Sequence, residues 1–159
     1  MAETQTKSLK ESGIDVGRIH HVGIYVDRLD GAVDFLTGVM GLEIVRTVDR
    51  PDFDRPDLTL AARFLQWGDA QIELVRLDED HEARPMKLGA GSARIDHIAI
   101  QVDDIQAVYD NLKARGYEFA FLAGDGPSGE IVHRRDRLVC FTDPSSTNGI
   151  SYQFIQITG

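Results

Sequence analysis

The chain has 159 residues, the length of one domain or of two small halves sharing a core, and no apolar run long enough to span a bilayer. Its formal net charge of −9 argues against a DNA or RNA partner, which needs a basic surface. The single cysteine, Cys140, excludes an internal disulfide and fits the reducing cytoplasm, the expected location. Within the apolar run LVCF (138–141) it reads as a small buried hydrophobe rather than a catalytic thiol.

The opening segment MAETQTKSLKESG lacks the basic-then-apolar layout of a signal peptide. Residues 1–17 are expected to form a polar tail, with a docked helical turn as the alternative. RIHHVGIYVD (18–27) then alternates apolar and variable positions, the signature of a strand. Regular alternation puts Ile19, His21, Gly23 and Tyr25 on one face and His20, Val22, Ile24 and Val26 on the other. A helix follows, with Ala32, Val33, Phe35, Leu36, Val39 and Met40 at helical spacing. Asp27 or Asp30 can cap its start, and Gly41 follows its end. GLEIV (41–45) turns into a new strand, LTLAARFLQW (58–67) is another, and WGDAQIELVRL (67–77) holds the last. Trp67 reads as core or interface rather than a substrate platform. LDEDHEARPMKLGAGSA (77–93), with His81, is polar and Gly-containing and reads as a linker.

The pattern then repeats. RIDHIAIQVD (94–103) matches 18–27 at six of ten positions, offset by 94 − 18 = 76 residues, and pairs His21 with His97. Alternation puts His97 on the face of Ile95 and Ala99. Ile105, Val108, Tyr109 and Leu112 form a second helix, capped by Asp103 or Asp104 and closed by Gly116. GYEFA (116–120) parallels GLEIV, and RLVCFTD (137–143) parallels 58–67. TNGISYQFIQI (147–157) aligns with 67–77 at an offset of 153 − 73 = 80, pairing Glu73 with Gln153. The expected architecture is α+β: two βαβββ modules, 18–77 and 94–159, joined by a linker at 78–93 and packed about a pseudo-two-fold axis. A carboxylate inside the apolar strand QIELV costs several kcal/mol unless it is paired or bound to a cation. Two imidazoles, one carboxylate and one amide oxygen suit a divalent metal with positions left open to substrate.

The phrases HVGIYV, IELV, DHIAIQV and FTDP…NGISYQF resemble the vicinal oxygen chelate superfamily over about residues 18–157. That group includes glyoxalase I, methylmalonyl-CoA epimerase, extradiol dioxygenases and proteins of fosfomycin and bleomycin resistance. The resemblance implies a curved mixed sheet closing around one metal ion, of zinc, nickel, cobalt, manganese or iron. Its ligand positions fall on His21, Glu73, His97 and Gln153. Epimerases of the family usually show His, Gln, His, Glu; the order here is the same site turned about the two-fold axis. Bacterial glyoxalase I usually has carboxylates at the second and fourth positions, so Gln153 departs from it.

The resemblance implies a small-molecule substrate, a homodimer, and proton abstraction next to a carbonyl with Glu73 as ligand and base. The leading reading is an isomerase or epimerase of a keto-sugar-like, cyclitol-like or acyl-CoA substrate. A glyoxalase-type lyase follows, then a ring-cleaving dioxygenase or a drug-sequestering protein. In HRRDR (133–137), His133, Arg135 and Arg137 are candidates for a carboxylate, phosphate or coenzyme A, against the alternative of a solvated hairpin. AGDGPSGE (123–130) lacks P-loop spacing and reads as a candidate lid.

Overall fold

The computed structural model describes residues 7–51, 59–77, 93–120 and 129–159. All of the linker 78–93 but Ala93, with His81, and most of the candidate lid lie outside these residues.

Eight strands form one curled mixed sheet. They are β1 (Arg18–Val26), β2 (Ile44–Pro51), β3 (Thr59–Trp67), β4 (Ala70–Leu77), β5 (Ala93–Gln101), β6 (Val132–His133), β7 (Arg137–Phe141) and β8 (Ser151–Ile157). Their order across the sheet is β2-β3-β4-β1-β5-β8-β7-β6. Reading outward from the centre, each half runs first strand, last strand, then the two between, so the second half repeats the first about a two-fold axis. The axis passes between β1 and β5, which pair antiparallel, while β4 and β8 flank them in parallel.

Helices α1 (Leu29–Asp34) and α2 (Ile105–Ala114) each pack against a buried cluster of their own half. One joins Val26, Leu29, Leu65 and Leu74; the other joins Val102, Ile105, Val108, Phe119, Cys140 and Phe154. Two smaller clusters, Ala62–Phe64–Val75 and Ala99–Val139–Ile155, supply lining to a cavity between the halves. Residues 7–17 carry a single 3-10 turn at Lys10–Ser12, and Leu9 and Ile14 beside it pack on the α2 cluster.

Local details depart from the sequence pattern. Neither Asp27 nor Asp30 is the cap of α1: that position is Arg28, with no side-chain cap bond. The helical path continues past Asp34 as a π-turn over Phe35–Val39, where Thr37 and Gly38 weaken the regular helix. GYEFA makes only a single bridge, Phe119 to Thr142, in place of a strand matching β2. Alternation also fails twice in the central pair. Ile19 pairs with Ile100 and His21 with Ala99, so His20 has no opposite residue; Gly23 pairs with His97 and Ile24 with Ile95, so Asp96 has none. These are β-bulges, and a bulge brings consecutive side chains towards one face. The bulges turn Ile19 and Ile95 out to exposures of 51% and 61%, off the face of His21 and His97 where alternation put them.

The cap of α2 is built as expected: Asp104 Oδ1 accepts the backbone N–H of Ala107 at 3.0 Å. Asp104→Ala is expected to cost about 1 kcal/mol, read as a lower urea midpoint at unchanged slope.

Candidate metal centre

His21 projects from β1, Glu73 from β4 and His97 from β5, and their ligand atoms converge within 4.8 Å of one another. His21 Nε2 and His97 Nε2 are 3.0 Å apart. Glu73 Oε2 lies 3.2 Å from the first and 3.3 Å from the second. Ligand atoms about 2.0–2.2 Å from a shared ion stand about 3–3.6 Å apart, so the triangle has the dimensions of a coordination site. Gln153 lines the same cavity from β8. Its Oε1 is buried and has no hydrogen-bond partner among the described residues, so its lone pairs suit a cation in this cavity.

The register shows why these positions are equivalent. Glu73 pairs with Gly23 in parallel, and Gln153 pairs with Ala99. Gly23 and Ala99 are themselves related by 99 − 23 = 76, the offset of the histidines. Gly23 is also a steric requirement: a Cβ there would lie 2.1 Å from His97 Cε1.

Each histidine is braced on several sides. Phe64 of β3 stands edge-on to His21, and Phe141 of β7 edge-on to His97, both with ring centroids 5.5 Å away. His20 Nδ1 is 2.8 Å from His21 Nδ1, and Asp96 Oδ2 is 2.9 Å from His97 Nδ1. The expectation that His20 faces the opposite side of β1 from His21 is therefore corrected, and the bulge is the reason. Asp96, Phe64 and Phe141 escaped the sequence reading, although the 76-residue offset pairs His20 with Asp96.

The electrostatics follow from burial and these bonds. Burial opposes charge on His97, yet hydrogen bonds to Asp96 and Glu73 raise it to about 9. Burial would lift the Glu73 carboxyl, but hydrogen bonds from both histidines carry it well below the carboxylate range. His21 is lowered by burial, and His20 falls to about 4, through burial and then the neighbouring charge of His21. Cys140 is buried and its thiol is pushed up to about 12 by burial, as befits packing.

The cavity has a volume of about 350 Å³. Arg46 and Arg50 from β2 face it, as do Arg134, Arg135 and Arg137 from the β6–β7 hairpin. Arg135 and Arg137 thus share the cavity with His21, Glu73, His97 and Gln153, whereas His133 lines a depression beside α2. Arg46 and Arg50 had no signal in the sequence; only the sheet brings β2 round to the hairpin. Trp67, 48% exposed at the end of β3, stands outside the cavity.

The family model described as Glyoxalase/Bleomycin resistance protein/Dioxygenase superfamily matches residues 18–150. The chain belongs to this superfamily. A probable lactoylglutathione lyase of Vibrio parahaemolyticus is 35% identical over 114 residues, covering 71% of this chain and 77% of that protein. An ethylmalonyl-CoA/methylmalonyl-CoA epimerase of Cereibacter sphaeroides is 28% identical over 143 residues, 89% of this chain and 99% of that one. The solved methylmalonyl-CoA epimerase of Mycobacterium tuberculosis superposes with a TM-score of 0.66 at 19% identity, covering 89% of this chain and 88% of its own, a likeness of fold. Superfamily membership and the His21–Glu73–His97 group together point to a divalent metal site.

Two outcomes follow for the metal-free protein. Between pH 6.5 and 9 the folded state keeps a proton on His97 that the unfolded chain has lost, so stability falls as pH rises. Below pH 6.5 the unfolded chain protonates histidines that the fold holds neutral at positions 20 and 21, so stability falls as pH drops. Urea midpoints after chelator treatment should peak near pH 6.5; a midpoint still rising at pH 9 would contradict this charge assignment. Gly23→Ala should displace the His97 ring and abolish metal uptake, measured by elemental analysis beside a circular-dichroism spectrum showing retained strands.

Proposed function

We propose that this protein is a metal-dependent isomerase or epimerase that moves a proton next to a carbonyl of an anionic small molecule. The observation that carries the reading is the placement of Glu73. It is the one carboxylate of the converging group, and its Oε2 lies within 3.3 Å of both imidazoles. A divalent ion held by His21, Glu73, His97 and Gln153 would supply Lewis-acid polarisation of the substrate carbonyl. Zinc, nickel, cobalt, manganese and iron(II) all suit two imidazoles with oxygen donors.

Glu73 acts here as the base. Held by the ion, its carboxylate would be a weak proton acceptor. Displaced from the ion by the incoming substrate, it would regain its basicity, because the opposite charge that stabilises its ionised form is then shared with the substrate oxygen. The apolar wall from Ala62, Phe64, Val75, Val139 and Ile155 keeps water off the reacting carbon. The arginines at the cavity favour a carboxylate or phosphate on the substrate, and Arg135 and Arg137 are the binding residues we assign from the hairpin. An acyl-CoA and a keto-sugar-like acid both meet this requirement. A homodimer goes with the reading, and exposed Ile19, Ile95, Ile44 and Val45 leave apolar surface for it.

A lyase forming lactoylglutathione is the second reading, favoured by the 35% identical Vibrio relative. It uses the same proton transfer, but with an amide at Gln153 where bacterial glyoxalase I usually has a carboxylate.

Methylmalonyl-CoA, and glutathione with methylglyoxal, serve as probes in D₂O with metal-loaded protein. Wild type should place deuterium on the substrate carbon of one of them, seen by proton NMR, and Glu73→Gln should slow this by about 10²–10⁴-fold. Exchange by Glu73→Gln at the wild-type rate would remove Glu73 as base.

A further inference from the structure

The pseudo-two-fold axis relates the residues before the two histidines, His20 and Asp96, since 96 − 20 = 76. In an unbroken strand both would point away from the centre. Each instead occupies a bulge, unopposed on the neighbouring strand. Each places a polar atom on the Nδ1 of the histidine that follows it, at 2.8 Å for His20 and 2.9 Å for Asp96. One geometric device thus appears twice, carrying two different chemical groups.

An imidazole that binds through Nε2 keeps its proton on Nδ1 and needs an acceptor there. At His97 the acceptor is the carboxylate Oδ2 of Asp96, whose side chain is 6% exposed. The other carboxylate oxygen of Asp96 lies 3.7 Å from Arg94 Nη2, which holds the group in place. At His21 the acceptor is the neutral ring nitrogen of His20, whose own proton then sits on Nε2. A hydrogen bond to a carboxylate is about twice as strong as a neutral one and leaves the imidazole more electron-rich.

Resting on the metal-centre reading above, we propose that Asp96 and His20 are positioning residues that make the two histidine ligands unequal. Asp96 makes His97 the tight ligand; His20 leaves His21 the weaker one. This difference between the two histidines lies outside the ligand set, in the residues behind them.

The test uses cobalt(II) as probe with the full chain, its dissociation constant measured by competition with a chromophoric chelator. Asp96→Asn keeps a hydrogen-bonding side chain and removes the charge; it should weaken cobalt binding about 10–100-fold. His20→Asp installs the second carboxylate and should tighten binding and alter the visible cobalt spectrum, a gain that a merely structural role does not produce. Thermal melts of the metal-free variants check folding, and His20→Asp decides the matter should Asp96→Asn fail to fold. Binding by Asp96→Asn within twofold of wild type, or no gain from a folded His20→Asp, overturns the proposal while the metal centre stands. A wild type that takes up no cobalt overturns the metal centre and this proposal together.

Discussion

The antiparallel pairing of β1 with β5 sets Gly23 opposite His97 and Ala99 opposite His21, and the rest of the molecule is arranged around that register. Each histidine crosses to the partner strand over a position too small to obstruct it. The two imidazoles then meet at 3.0 Å between Nε2 atoms, a distance at which one ring can donate its N–H to the other, or both can turn their lone pairs to a shared cation. Burying such a group is tolerable because Glu73 supplies the opposite charge from β4. The helices and their clusters lie on the far side of the sheet's work: they hold β1, β4 and β5 at fixed spacing so that three side chains can meet.

Much of this arrangement was legible because the chain contains its own comparison. The match of RIHHVGIYVD with RIDHIAIQVD singled out His21 and His97, and the paired last strands singled out Glu73 and Gln153. Repeat symmetry is a strong signal because two copies packed about an axis must bring equivalent residues to equivalent distances from it. The bulges were not legible. A bulge leaves residue types unchanged and alters only their pairing, so a period-two reading carries straight through it and sends His20 and Asp96 to the wrong side. Arg46 and Arg50 were hidden for another reason. Their approach to Arg135 depends on the curl of the sheet across five intervening strands, which no local pattern encodes. The same locality misplaced His133, because a residue near Arg135 in sequence can face the other side of a hairpin.

The charges divide between surface and interior. A chain of net charge −9 gathers five arginines on the wall of one cavity beside the carboxylates of Glu73, Asp96 and Asp136, so cations outnumber acids there against the trend of the whole chain. Low-dielectric walls such as Phe64 and Phe141 strengthen the arginines' attraction for an anion. Glu73 faces the same cavity with its Oε2 within 3.3 Å of both imidazoles, so its charge is directed at them rather than at an incoming anion.

The two halves do not enclose the cavity alike. On one side stands β2, eight residues paired along β3; on the other, the outermost strand is only Val132–His133, followed by a tight hairpin bearing Arg134, Arg135 and Asp136. A short hairpin makes few ladder bonds, so insertions or substitutions there leave β1, β5 and their histidines undisturbed. Duplication of an ancestral module would therefore have yielded more than a symmetric cage. The central strands of both copies can keep the frame while the hairpin of the second diverges, and new substrates can be recruited by rewriting one wall without reinventing the chemistry.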